Sequence, residues 1–291
     1  MKVLVTGANG QLGKVVMRRF EKDGKCDVFG VDLPLLNVEA PFDVQVAVES
    51  YEPDVVVHCA ARTDVDGCQA DPVGAMAANW VGTANVAVAC AMAKSKMVYV
   101  STSFVFDGKK PGSYVEWDET GPLGVYGLSK LKGEEAVRAH CPNHVILRTT
   151  WLYGDEGKGF PERVVEMARA GKPLTVVGDQ RGDPTSATAL ADAIWWTCEA
   201  RLAGTFHASC SGGGCAKHEL AVAALQAARA SAEVVPISTA EYVRDNSASA
   251  PGVVSPRPRN SCMDGALLAR TGWALPHWRD EIIRRFSGKS S

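Results

Sequence analysis

The sequence is short of net charge, of long apolar runs and of any ordered cysteine pattern, and each shortage excludes something. Lys and Arg number 31 against 33 Asp and Glu, a formal net charge of −2. With no basic excess and no block of one sign, nothing points to nucleic acid or to a polyelectrolyte tail. The longest apolar run, around Val86 to Ala93, falls far short of the ~20 residues that a bilayer span requires, and it reads as a buried Ala-rich helix. Met1 to Val5 meets Gly7 too soon for the apolar stretch of a signal peptide. The nine cysteines are odd in number and scattered through the chain, which is not a secreted disulfide framework; reduced thiols in a cytoplasm are the expectation. There is no internal repeat.

What is present is ordinary for a globular protein: 46% hydrophobic and 22% charged residues over 291 positions, enough for one large or two modest domains. Short β-branched runs alternate with helical patterns. Strands are predicted at Lys2–Val5, Asp27–Val31, Asp54–Cys59, Lys96–Ser101 and His144–Arg148, and helices at Gln11–Glu21, Pro72–Lys94, Tyr126–Ala139 and Phe160–Ala170. Near-continuous apolar strands separated by helices imply a parallel sheet covered on both faces, hence a doubly wound α/β fold of Rossmann type. Beyond about Thr150 the pattern changes, with strands at Leu174–Val177 and Gly204–Ala208 and helices near Ala187–Glu199, Ala216–Ala230, Asp264–Thr271 and Pro276–Phe286. Arg244–Asn260, with Pro251, Pro256 and Pro258, reads as a long loop.

Thr6-Gly7-Ala8-Asn9-Gly10-Gln11-Leu12-Gly13 falls where the first strand turns into the first helix. Gly7 and Gly10 allow a tight turn and close approach to a pyrophosphate, Gly13 allows close helix packing, and the helix N-terminus offers free N–H groups to the anion. Asp32 ends the second strand about 20 residues on; a carboxylate there accepts the hydroxyls of an adenosine ribose and repels a 2′-phosphate, which favours NAD over NADP. Residues 1–150 are accordingly expected to form a dinucleotide-binding domain. Residues 151–291 are expected to form a smaller α/β, mainly substrate-binding portion, with some segments returning to the first domain.

Tyr126 and Lys130, four residues apart on one predicted helix, share a face. A phenol with an ordinary pKa near 10 is a poor acid–base catalyst at neutral pH, and a nearby ammonium is expected to lower it. Thr102 closes the KMVYVST strand at the carboxyl edge of the sheet, where ligands bind in such folds, so its hydroxyl can align the oxygen being reduced.

These segments resemble the extended short-chain dehydrogenase/reductases, and specifically the dTDP-4-dehydrorhamnose reductase family. The similarity runs nearly end to end through TGANGQLG (6–13), ARTDVDGC (61–68), NWVGTANV (79–86), STSFVFDG (101–108), PLGVYGLSKLKGE (122–134), LRTTWLYG (147–154), DQRGDPTSATALA (179–191) and RPRNS (257–261). The resemblance implies Thr102, Tyr126 and Lys130 as the catalytic trio. For the cofactor it implies Gly7, Asn9, Gly10, Gln11, Leu12, Gly13, Asp32, Ala60 and Ala61 together with Tyr126 and Lys130. For the substrate it implies Thr102, Ser103, Trp151 and Arg257, with Arg257 and Arg259 suited to neutralise a diphosphate. The expected reaction is NAD(P)H-dependent reduction of the 4-keto group of a nucleotide-linked 6-deoxyhexose. The competing expectations are another sugar-nucleotide ketoreductase or epimerase, or a cofactor-binding partner protein resembling the regulatory subunit of methionine adenosyltransferase. A homodimer is a further expectation.

Three departures bear on this. Ser103-Phe104 stands where the family has Asp-Tyr, and it offers none of the Asp-Glu acid–base chemistry of related dehydratases. Gly159 stands where the family often has Asn, and the family's magnesium-binding Glu falls near Val15, which argues against a magnesium bridge. His207-x2-Cys210-x4-Cys215-x2-His218 has a zinc-like spacing, but the resembled family has a plain strand-to-helix connection there. His207 therefore reads as a strand residue and Cys215 as a buried or loop thiol, and no metal is expected.

Overall fold

The computed structural model describes residues 1–154, 159–247 and 254–287. Its centre is a six-stranded, wholly parallel sheet. Strands β1 (Lys2–Thr6), β2 (Asp27–Val31), β3 (Val55–His58), β4 (Lys96–Thr102) and β5 (His144–Thr149) are joined by Gly204–His207, in the order β2-β1-β3-β4-β5-(Gly204–His207). The chain leaves β1 for one side and returns at β3 on the other, so a crevice opens between them at the carboxyl edge.

The strands are apolar throughout because both faces are buried. Val3, Val5, Val55, Val57, Val98, Val145 and Leu147 pack into one core with α1 (Gln11–Lys22) and the Ala187–Glu199 helix. The intervening Leu4, Val56, Met97, Tyr99 and Ile146 point the other way, onto Val86 and Cys90 of the Pro72–Met92 helix and Val137 of the Val125–His140 helix. The period-2 alternation of a strand thus feeds two cores. The Pro72–Met92 helix is long and apolar enough to cross a bilayer, and 44% of its most apolar 18-residue stretch is buried inside this protein.

Beyond β5 the chain builds small pairings: Leu174–Val177 with Val234–Ile237, Leu152–Tyr153 with Thr185–Ser186, and Arg181–Gly182 between Cys215–Ala216 and Asn260–Ser261. Among the described residues three helices escape the sequence reading: the short Val65–Ala70 and two longer ones. In α2 (Pro41–Tyr51) Val44 and Val48 are buried while Phe42 and Val46 are exposed, so the apolar residues ring the helix and no 3.6-residue stripe stands out. Thr239–Ser247 is helical and takes up the start of the expected Arg244–Asn260 loop; Pro251 lies outside the described residues.

Candidate active site

A cavity of about 490 Å³ opens at the carboxyl edge, between the glycine turn and the residues that follow β4 and β5. Gly7 turns with φ +69°, and a Cβ there would lie 2.6 Å from the Ala60 backbone nitrogen; one on Gly13 would lie 2.1 Å from the Gly7 carbonyl oxygen. Only glycine lets β1, the start of α1 and the Cys59–Ala60 segment close up this far. The N-terminus of α1 has no side-chain cap, and Gln11 presents a buried Nε2 that has no hydrogen-bond partner among the described residues. Bare N–H groups, an orphaned amide donor and a cradle that a methyl group would fill fit a dinucleotide pyrophosphate.

Thr102 ends β4, and its Oγ1 accepts a 3.2 Å hydrogen bond from the Phe104 N–H, which fixes the turn Ser103–Val105. Tyr126 stands on the Val125–His140 helix. The two meet because residue 127 is glycine: a Cβ there would come within 2.1 Å of the Phe104 carbonyl oxygen. The Thr102 hydroxyl acts on the Tyr126 phenol in the direction that lowers its pKa, and Phe104 lies edge-on to the Tyr126 ring at 5.8 Å. Lys130, one turn on, places Nζ 4.1 Å from the centre of the Tyr99 ring. Thr102, Tyr126 and Lys130 all line the cavity that the glycine turn lines.

Their electrostatics correct one expectation. Burial pushes Tyr126 up to about 12, the Thr102 hydroxyl opposes it, and Lys130 is not among the causes. Burial likewise pulls Lys130 down to about 7, against the pull of Glu134, Cys59 and Cys68. The phenol is therefore not acidified by its neighbour, because burial pushes both groups toward their uncharged forms. Burial raises Glu134, but Arg148, Ser101 and Arg138 outweigh it and keep its carboxyl below the usual range. Arg148 grips Glu134 through two bonds, Nε to Oε1 at 2.8 Å and Nη2 to Oε2 at 2.7 Å.

Asn79 braces the helix that carries Tyr126. Its Nδ2 donates to the Arg62 carbonyl and to Ser129 Oγ, both at 2.9 Å, and its Oδ1 accepts from the Arg62 N–H at 2.8 Å. It lies in a π-helical turn, Ala77–Val81, of a kind often found beside functional sites.

Of the remaining expected residues, Gly10, Leu12, Ala61 and Trp151 line the cavity, while Asn9, Asp32, Ala60, Ser103 and Arg257 do not. Asp32 accepts from the Asn9 and Leu33 N–H groups at 2.9 and 2.8 Å, one on each oxygen, so it shapes the rim beside the glycine turn. Ser103 is fully buried, its hydroxyl has no hydrogen-bond partner among the described residues, and it is not one of the residues that line the cavity. Arg257 is held by both oxygens of Asp66, at 2.9 and 2.7 Å, and Arg259 is exposed. Trp151 carries the left-handed backbone angle φ +45°, and its ring lies against Gly182.

Cavity residues that the sequence reading missed include Phe160, Arg163 and Lys217. None sits in a motif: Arg163 reads as the solvated face of an amphipathic helix, and Lys217 as the first residue of another. The zinc-like set does not converge. His207 Nδ1 donates to the Tyr114 carbonyl, Cys210 and Cys215 are core residues, and His218 Nε2 bonds the Val234 carbonyl. Among the described residues no group of three His, Cys, Asp or Glu could hold a metal ion.

The family described as RmlD substrate binding domain matches residues 1–288. The chain belongs to that family. Among its relatives, the dTDP-4-dehydrorhamnose reductase of Sinorhizobium fredii is 35% identical, over 98% of this chain and 96% of that protein. A dTDP-4-dehydrorhamnose reductase from Clostridium acetobutylicum superposes with a TM-score of 0.92 at 32% identity, covering 99% of both chains. That of Bacillus anthracis, solved in complex with NADP, superposes with a TM-score of 0.90 at 32% identity, over 99% of this chain and 98% of the other. Membership of this family and the coverage of nearly the whole chain agree with the Rossmann-type fold.

Proposed function

We propose that the protein is an oxidoreductase that uses a reduced nicotinamide dinucleotide to reduce the 4-keto group of a nucleotide-linked 6-deoxyhexose; relatives named dTDP-4-dehydrorhamnose reductase, one of them solved with NADP, support the reading. One observation carries the reading: Thr102, Tyr126 and Lys130 share a cavity with the glycine turn at the carboxyl edge of the sheet. Residues 1–150 hold the cofactor in this reading, and most of residues 151–291 shape the sugar-nucleotide end.

The cofactor supplies the hydride. Thr102 aligns the carbonyl oxygen, and Tyr126 delivers the proton as that oxygen becomes an alkoxide. A phenol held near 12 is protonated at neutral pH, which is the form reduction consumes, and an alkoxide is the stronger base. Lys130 would hold the ribose hydroxyls of a bound cofactor, and it relays a proton back to the phenolate. Orientation and proton transfer are the protein's share of the chemistry. Ser103-Phe104 provides no acid–base pair for eliminating water, so a dehydratase is disfavoured. Asp32 beside the glycine turn supports NADH as the preferred cofactor, and comparing kcat/KM for NADH and NADPH decides it.

Tyr126→Phe tests the assignment. Folding and cofactor affinity are expected to survive while turnover of a dTDP-4-keto-6-deoxyhexose falls by roughly two orders of magnitude or more. Near-normal turnover overturns the reading, and product analysis by NMR separates simple reduction from epimerisation.

A further inference from the structure

We propose that Lys217, with Arg163 beside it, is the cationic seat for the diphosphate of the sugar nucleotide; this rests on the reductase reading above. The Lys217 ammonium lines the cavity 5.8 Å from the centre of the Trp151 ring and 5.1 Å from that of Phe160, and Arg163 lines the same wall. Its position is built: Lys217 opens the Lys217–Ala227 helix, whose start is fixed by the Ala216 N–H donating to Glu219 Oε2 at 2.7 Å. Among the described residues no carboxylate pairs with Lys217 or Arg163. The acid that acts on Lys217, Asp66, is already engaged on both oxygens by Arg257. Arg257, the cation the sequence suggested for this role, does not line the cavity.

The result, among the described residues, is a wall that carries two cations, Lys217 and Arg163, with the Arg257–Asp66 pair behind it. Burial first, then Arg257 and Arg163, push Lys217 down to about 8, and only Asp66 opposes them. A site whose own charges repel is completed by an anion with more than one charge, and a diphosphate supplies it through charge-assisted hydrogen bonds. The dinucleotide's own phosphates are provided for elsewhere, by the backbone N–H groups of the glycine turn.

The test is calorimetric titration of the full-length protein with dTDP, UDP, GDP and CDP, taking the tightest binder forward with wild type, Lys217→Met and Lys217→Arg. Lys217→Met keeps the aliphatic stem over the two rings and removes the charge. The expected result is a loss of about 10- to 100-fold in nucleoside diphosphate affinity for Lys217→Met, recovery to within a few-fold for Lys217→Arg, and an unchanged Kd for NADH. In wild type near pH 8, binding is also expected to take up protons, read from paired buffers of different ionisation enthalpy, and Lys217→Met abolishes that uptake. Undiminished diphosphate binding by Lys217→Met overturns the proposal. So does an equal loss of NADH affinity, or a loss seen only with the complete sugar nucleotide, which places Lys217 against the sugar instead. Wild type that binds none of the four diphosphates and no keto-sugar overturns the reductase reading itself.

Discussion

Tyr126 and Lys130 are both pushed by burial toward their uncharged forms, and the consequences for the two are unequal. A phenol near 12 stays protonated across the working range, so it imposes no limb on a pH profile. A lysine near 7 loses its charge inside that range. With the ammonium as the form that grips ribose hydroxyls, kcat/KM for the reduced cofactor is expected to hold below about pH 7 and to fall as pH rises through it, with a single ionisation. Lys130→Arg, which does not titrate there, is expected to flatten that limb at a lower plateau. A limb that persists unchanged in Lys130→Arg assigns the titration to another group. That Tyr126 and Lys130 share a helix face was legible in the sequence from their spacing. The electrostatics were not, since spacing reveals neighbours but not how much water the fold removes from around them.

At the scale of elements, the site depends on close contacts between segments far apart in the chain. Trp151 leaves β5 in a left-handed conformation, which costs a non-glycine residue of order 1 kcal/mol or more, and its ring is received by Gly182 of the short Arg181–Gly182 strand. A Cβ at residue 182 would lie 2.7 Å from Trp151 Cε2, so Gly182→Ala must displace the indole. The expected result is a roughly 10- to 100-fold loss of kcat/KM for the sugar nucleotide, a shift of tryptophan fluorescence and an unchanged Kd for NADH. Retention of full kcat/KM would show that the ring's placement is irrelevant to the substrate. The DQRGDPT run could be recognised in the sequence as a motif, but the reason for its glycine is a steric fact of two segments meeting. The same holds for Gly127 against Phe104 and for Asn79 tying residue 62 to Ser129. Local periodicity places strands and helices; contacts between them depend on tertiary packing.

At the scale of the molecule, the C-terminal segment is stitched back onto the loop after β4. Tyr114 and Cys262 are joined by a 2.8 Å backbone hydrogen bond, Asp264 donates to the Tyr114 carbonyl at 2.8 Å, and Asn260 Nδ2 donates to the Lys110 and Gly112 carbonyls, each at 2.8 Å. Asp183 is the buried knot of this region: its Oδ2 accepts from the Met263 N–H at 2.7 Å and from Ser209 Oγ at 3.5 Å. Burial raises its carboxyl to about 7, against the lowering effect of those two bonds and Arg181. The folded protein therefore holds a proton there that the unfolded chain, with an ordinary carboxyl near 4, gives up. Between those values the native state binds more protons, so this contribution to stability is complete below about pH 4 and is lost as pH rises through about 7. The full loss is roughly 4 kcal/mol at most, at about 1.4 kcal/mol for each tenfold change. Asp183→Asn keeps an oxygen for the Met263 N–H and has no proton to lose. Denaturant unfolding is thus expected to show the variant gaining on wild type as pH is raised from 5 to 8, with both unfolding in one transition because the stitched segments open together. A stability difference that does not change over that window would show Asp183 to be ionised in the folded protein, and its burial to be relieved by groups other than those it touches.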